Sequence, residues 1–477
     1  MRYINKTDIF VIARNSGMLM IGIGIMCSIP IIVDLIYLEF NTLCFLIPGL
    51  ISILIGIIFV KALNKYSQHK MRLKHGMIIS SLSWLWACII CGLVLFFATQ
   101  INIVDGMFES MSALTGSGIT IYGDVEVLPK SVLFFRALQQ WVGGLGVVVL
   151  IIAILTKPGT TSAKLYQSEA REERIKPSTK ATLKKTIKIY LIYTAAGIIL
   201  YLLAGMPVYD SICNTFSIIS TGGMSIKNAN IGFYQNDIIY FITIVLMILG
   251  ATSFLVHYKV IKTRGKSLIH DLQFKIMITL IAGSTIILYL ASHIVPIELL
   301  FTVVSAVTTT GASVQSSAVM GTWPTFVIIV LMTLMTIGGS SGSTVGALKL
   351  MRVITFFKGT YKHLREILSP EGRVVPLQIS GQKLSDKAVA QSGNYITLYV
   401  LCILITWALL CLYGYEPFSG LFYTMSIQGN VGLEIATIAP TLELPLKLLS
   451  IFNMWTGRLE IYPVLITIRA LFEIFKR

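Results

Sequence analysis

Ser305-Ala-Val-Thr-Thr-Thr-Gly-Ala-Ser313 is a stretch that the chain writes four times. The other copies are Ser112-Ala-Leu-Thr-Gly-Ser-Gly-Ile-Thr120, Ser217-Ile-Ile-Ser-Thr-Gly-Gly-Met-Ser225 and Ser426-Ile-Gln-Gly-Asn-Val-Gly-Leu-Glu434. Each opens on Ser and carries Gly six residues later, at Gly118, Gly223, Gly311 and Gly432. Thirteen residues before each Gly stands a helix-start residue: Asp105, Asp210, Glu298 and Ser419. Self-similarity of this kind marks a repeated architectural unit. The unit reads as a short helix that stops at a Gly-rich extended segment. Set between long apolar runs, it predicts a pore loop.

The surrounding composition excludes a soluble protein. Of 477 residues, 55% are hydrophobic and 13% charged, about half the charged share of a typical soluble domain. Mean hydropathy is +0.79, and apolar runs long enough to cross a bilayer (about 20 residues) recur throughout. The formal charge of +16 does not point to nucleic acid, because its distribution follows the membrane. With the N-terminus inside and the segments alternating, only Lys130, Arg136, Lys227 and Lys447 of the 38 basic residues fall outside, against 12 of the 22 acids. That is the positive-inside bias, and the acidic outer face would concentrate cations at an entrance. The seven cysteines lie in or beside apolar segments and imply no disulfide framework.

In chain order, residues 1–76 predict a transmembrane hairpin and a basic loop, and 77–158 the first pore repeat. A charged cytoplasmic loop (159–186) and the second repeat (187–264) follow. The third repeat spans 265–357, a cytoplasmic loop 358–392, and the fourth repeat 393–477. The expected fold is an all-α polytopic membrane protein of ten full spans and four re-entrant loops around a central pore. Both termini would be cytoplasmic, and the spans would face the lipid bilayer.

A helix from Asp105 to Leu114 reaches roughly 15 Å, half the hydrocarbon thickness. An acid near its start complements the helix dipole. The segment beyond it lacks regular structure, and bare backbone at that depth is tolerated only beside an aqueous path. Glycine lets such a segment turn its carbonyls inward, where they replace the hydration shell of a cation. The residues assigned to that filter are Thr115, Gly116, Ser117 and Gly118; Ser220, Thr221, Gly222 and Gly223; Thr308, Thr309, Thr310 and Gly311; and Gly429, Asn430, Val431 and Gly432.

A second feature interrupts the return helix of repeat three. Gly338, Gly339, Ser340, Ser341, Gly342, Ser343, Thr344 and Gly346 give that stretch poor helix propensity, and a break there predicts an intramembrane gate. The alternative is close helix packing through small residues. Arg458 falls inside the return helix of repeat four, at a similar remove from its filter glycine. A charge at that depth needs a cavity or a partner, and hydroxyls and carbonyls of Ser340, Ser341, Ser343 and Thr344 are the expected ones.

These residues resemble the Trk/Ktr/HKT superfamily of potassium-translocating subunits. The similarity runs from about Gly76 to the C-terminus and is sharpest at Gln140-Trp-Val-Gly-Gly-Leu-Gly146, Ile337-Gly-Gly-Ser-Ser-Gly-Ser-Thr344 and Gly457-Arg-Leu-Glu-Ile461. The N-terminal hairpin is similar to the bacterial TrkH/TrkG branch. The resemblance implies potassium as the transported ion, a homodimer with one pore per protomer, and a bacterial inner-membrane location. It also implies gating by a cytoplasmic nucleotide-binding TrkA-type ring, with no nucleotide on this chain, and Arg458 at the constriction. Gly in all four loops matches the potassium pattern. The fourth loop departs from the Thr-rich others, and a sodium-permeable or ion-coupled member of the superfamily is the alternative. In another class, a membrane-embedded transferase would need a water-accessible cluster of acids or histidines, and the six histidines show no such spacing.

Overall fold

The computed structural model describes residues 4–475 apart from 68, 70, 147–178, 264, 293, 371–372, 374 and 380–381. The charged loop expected over 159–186 therefore lies mostly outside the described residues. An antiparallel pair, Lys6–Ser28 and Thr42–Ala62, forms the N-terminal hairpin. Its turn is tied by Asp34, which accepts hydrogen bonds from the Asn41 backbone N–H (2.8 Å) and the Thr42 hydroxyl (2.5 Å).

Four helix–loop–helix units follow. Their outer helices are Leu73–Thr99, Thr179–Leu203, Leu272–Ser292 and Asp386–Leu412. The pore helices are Ile103–Thr115, Val208–Ile219, Pro296–Val307 and Pro417–Gly429, each 12 or 13 residues long. At 1.5 Å per residue they are too short to cross a bilayer. Asp105, Asp210 and Glu298 sit in the first turn, as a helix dipole favours. Repeat four differs from expectation. Its helix starts at Pro417, and the capping group is Glu416, whose carboxylate accepts from the N–H groups of Phe418 (3.0 Å) and Ser419 (2.6 Å). Those two backbone bonds hold the Glu416 carboxyl below its ordinary range.

The return helices are Lys130–Leu145, Asp237–Ala251, Thr325–Ile337 and Leu444–Leu459. A break is expected only in repeat three, yet all four stop at the same register. The first residues past them are Gly146, Thr252, Gly338 and Glu460, which lie 28, 29, 27 and 28 residues beyond the ring glycines. In repeat two the chain turns by 106° and continues as Phe254–Thr263. In repeats three and four it resumes at Leu350–Ile367 and Tyr462–Phe475. Among the described residues, six helices are long and apolar enough to span, or seven if the bent pair counts as one span. The architecture is all-helical apart from a two-residue hairpin, Gln378–Ile379 with Gln382–Lys383.

Candidate filter ring and intramembrane loop

The four Gly-centred loops meet. A Cβ built on Gly118 would lie 2.4 Å from the carbonyl oxygen of Gly222, and one on Gly223 would lie 2.0 Å from that of Thr310. On Gly311 it would lie 1.9 Å from the Val431 oxygen, and on Gly432 2.3 Å from the Ser117 oxygen. Each glycine thus faces the residue that precedes the next loop's glycine, and the fourth closes on the first. The loops form one ring in chain order, and a side chain at any of the four glycine positions would have to displace the backbone of the next loop.

Backbone angles explain how the ring presents oxygens. The four glycines have φ of 75°, 70°, 75° and 100°, and the residues two before them (Gly116, Thr221, Thr309, Asn430) have φ of 76°, 53°, 52° and 50°. Ser117, Gly222, Thr310 and Val431 between them are not left-handed. Their N–H groups donate to the carbonyls of Ser112, Ser217, Ser305 and Ser426, at 3.0, 2.9, 2.9 and 2.9 Å. The serine side chains add to this in three copies: the Ser112 and Ser217 hydroxyls donate to the Ile119 and Met224 carbonyls (2.5 and 2.6 Å), and the Ser426 hydroxyl accepts from the Gly432 N–H (3.0 Å). A trans peptide points its N–H and C=O in opposite directions, so with the N–H groups turned back on the pore helices, the carbonyls of Gly116, Thr221, Thr309 and Asn430 turn away from them. A ring of such carbonyls is the arrangement that coordinates a bare cation.

Hydroxyls and amides stiffen the ring. Thr115 and Ser117 share a hydrogen bond at 3.0 Å, and Thr308 and Thr310 one at 2.7 Å. The Ser220 hydroxyl donates to the Ser217 carbonyl. Asn430, which breaks the Thr pattern of the first three loops, donates from Nδ2 to the Ser117 hydroxyl (2.9 Å) and to the Met454 carbonyl (2.9 Å). It thereby ties loop four to loop one. Two supports are not identified from sequence. Gln140 donates to the Gly222 carbonyl (2.7 Å) and accepts from the Met224 N–H (3.2 Å). Glu109 and Arg136, both buried, pair at 2.7 Å. Glu109 also accepts from Thr120 and the Ile121 N–H, while Arg136 reaches the Ser225 carbonyl and the Thr120 hydroxyl. Arg136 is thus a brace between loops one and two and not an outer-loop charge.

Below the ring, residues 338–349 leave the helix and pass beneath the other repeats. Ser340 donates its N–H to the Ala251 carbonyl (3.1 Å), and Thr344 donates its N–H and hydroxyl to the Gly250 carbonyl (3.3 and 3.0 Å). Gly342 accepts from the Phe254 N–H, and the Ser341 N–H donates to Gln273. The same segment touches the ring residues themselves. Thr344 meets Thr221 at 3.0 Å, the Gly346 N–H reaches the Thr309 hydroxyl at 3.1 Å, and the Ala347 N–H reaches the Gly429 carbonyl at 3.0 Å. Gly338 and Gly342 are left-handed, with φ of 72° and 76°. Gly339 and Ser343 complete the segment, the Ser343 hydroxyl donating to the Ser340 carbonyl.

Arg458 stands in the last turn of the Leu444–Leu459 helix. Its guanidinium donates to the carbonyls of Gly143 (2.6 Å), Gly144 (3.0 Å) and Thr344. The first two belong to the end of the Lys130–Leu145 helix, where the dipole is negative. Of the four partners expected in the loop, only Thr344 is among these acceptors; repeat one supplies the others. Glu460 faces Lys349 (2.8 Å) and Arg352, so the loop's far end is pinned to repeat four as well.

The comparisons with known proteins identify the family and the fold. Residues 49–474 match the TrkH family model, described as cation transport protein. The chain is 36% identical over 473 residues to an uncharacterized cation transporter of Methanocaldococcus jannaschii, covering 98% of this chain and 97% of that one. It is 29% identical over 486 residues to the Trk system potassium uptake protein TrkG of Escherichia coli K12, covering 98% and 99%. The crystal structure of the potassium transporter TrkH from Vibrio parahaemolyticus superposes with a TM-score of 0.86 at 26% identity, covering 96% of this chain and 98% of that one. The chain is an integral membrane protein, and it belongs to the TrkH family of cation transport proteins rather than to any class of enzyme.

Proposed function

We propose that this chain passes potassium ions inward across a bacterial-type cytoplasmic membrane through the ring of Gly118, Gly223, Gly311 and Gly432. The observation that carries the reading is the closure of four loops into one ring whose left-handed residues turn carbonyls away from the pore helices. The loop from Gly338 to Gly346 lies across the exit of that ring and acts as the gate, with Arg458 as its latch and as a positive barrier to a departing cation. Opening is driven by a cytoplasmic nucleotide-binding TrkA-type subunit, and two copies of the chain form a homodimer with one path each. The names of the TrkG and TrkH relatives support potassium as the ion and a multi-subunit system as the setting.

The test is ion uptake into proteoliposomes containing the purified chain, with and without a regulatory subunit. Potassium and rubidium are expected to enter at similar rates and sodium more slowly. Equal sodium and potassium rates would favour the sodium-permeable alternative, and absence of flux under both conditions would remove the ion-path reading.

A further inference from the structure

The outer mouth of the ring is not symmetric in charge. Two residues past each ring glycine stand Thr120, Ser225, Ser313 and Glu434, and all four side chains are half-buried at the same level. Three are hydroxyl residues and the fourth is a carboxylate. Its Oε1 atom is buried and receives no hydrogen bond, and no ion pair reaches Glu434 among the described residues. An ionised carboxylate in that position is unfavourable unless something positive comes to it.

The groups around it do not supply that charge. Glu109, from pore helix one, acts on Glu434 electrostatically and carries the same sign. Arg136, from return helix one, is the cation at this level, but its guanidinium is held by Glu109, Thr120 and the Ser225 carbonyl. The pair Glu109–Arg136 is neutral as a unit. Tyr423, from pore helix four, donates its hydroxyl to Ser450 at 3.2 Å. Burial and the like charge of Glu109 both disfavour the ionised form of Glu434, so its carboxylate is uncompensated and gains its charge favourably only when a cation comes to it.

The geometry points to Glu434 as an external cation-capture site, a carboxylate that pairs with a dehydrating monovalent cation just before it enters the ring. This rests on the reading of the ring as the ion path and adds to it the residue that sets affinity for the external ion. Glycine and carbonyl positions set which cation passes; Glu434 sets how dilute that cation can be. A unit charge at a low-dielectric mouth raises the local concentration of counter-ions, and salt screens the effect.

The experiment measures rubidium uptake into proteoliposomes over a range of external concentrations for the wild-type chain, Glu434→Gln and Glu434→Asp. At low ionic strength the Gln variant is expected to raise the half-saturating rubidium concentration about three- to tenfold. Its maximal rate should stay near wild type, and added salt should shrink the difference. The Asp variant, which keeps the charge, should remain close to wild type. An unchanged half-saturating concentration in the Gln variant would overturn the inference while leaving the ion path intact. Equal loss of maximal rate in both variants would also overturn it, making Glu434 a packing residue. A wild-type chain that conducts nothing either with or without a regulatory subunit would instead overturn the ion-path reading itself.

Discussion

Replacing Arg458 with Gln is expected to raise ion flux at least about tenfold in the absence of any regulatory subunit. The guanidinium links three elements: from its own helix it holds the Thr344 carbonyl of the loop and the Gly143 and Gly144 carbonyls that end return helix one. Hydrogen bonds from a charged donor contribute about 1.5–3 kcal/mol each, and glutamine, shorter and neutral, cannot span the same three oxygens. The second effect is electrostatic. A fixed unit charge about 8 Å from a passing cation raises its energy by ~2 kcal/mol at an effective dielectric constant near 20, equivalent to roughly thirtyfold in rate. Both effects act in one direction, so partner-independent rubidium flux through proteoliposomes should increase. A fall in flux from a variant that still elutes as a folded protein would show that Arg458 only supports the structure.

The second large effect is expected at Gly118. Substitution by Ser places a side chain at φ of 75°, where an L-residue is strained by about 1 kcal/mol or more. Its Cβ would meet the Gly222 oxygen at 2.4 Å, and that oxygen is backbone of the neighbouring loop, so the ring itself must shift. Among the four ring glycines this is the roomiest; Gly223 and Gly311 leave only 2.0 and 1.9 Å. Gly118→Ser should therefore fold, while reducing the potassium-to-sodium flux ratio about tenfold. Gly311→Ser should not yield a folded protein. A Gly118→Ser chain that keeps the wild-type ratio would mean the carbonyl ring does not set selectivity.

Much of this site is readable from the chain because it is repeated. A single Ser-to-Gly spacing says little, but four copies locate the pore helices, the loops and the glycines of the ring. The Gly/Ser run at 338–346 and the lone charge at Arg458 stand out because both are unfavourable in a continuous membrane helix. The remaining parts depend on partners distant in sequence. Gln140 grips a carbonyl 82 residues away, Asn430 a hydroxyl 313 residues away; their place in the motifs is visible in the chain, but the groups they hold are not. The Glu109–Arg136 pair is likewise formed by the fold, joining a pore helix to its return helix. The breaks in repeats two and four escape a propensity argument for a different reason. At Glu460 a non-glycine residue takes a left-handed conformation, φ 62°, next to ion pairs with Lys349 and Arg352. That conformation is supported by tertiary contacts, so composition alone reads straight through it.

On the proposed function, the ring joining Gly118, Gly223, Gly311 and Gly432 is where the cation sheds its water. Anomalous diffraction from crystals of this chain grown in rubidium tests it most directly. Rubidium is expected on the axis of the ring, bounded by carbonyls of all four loops and absent when sodium replaces rubidium. Rubidium bound elsewhere, with the ring axis empty at saturating concentration, would contradict it.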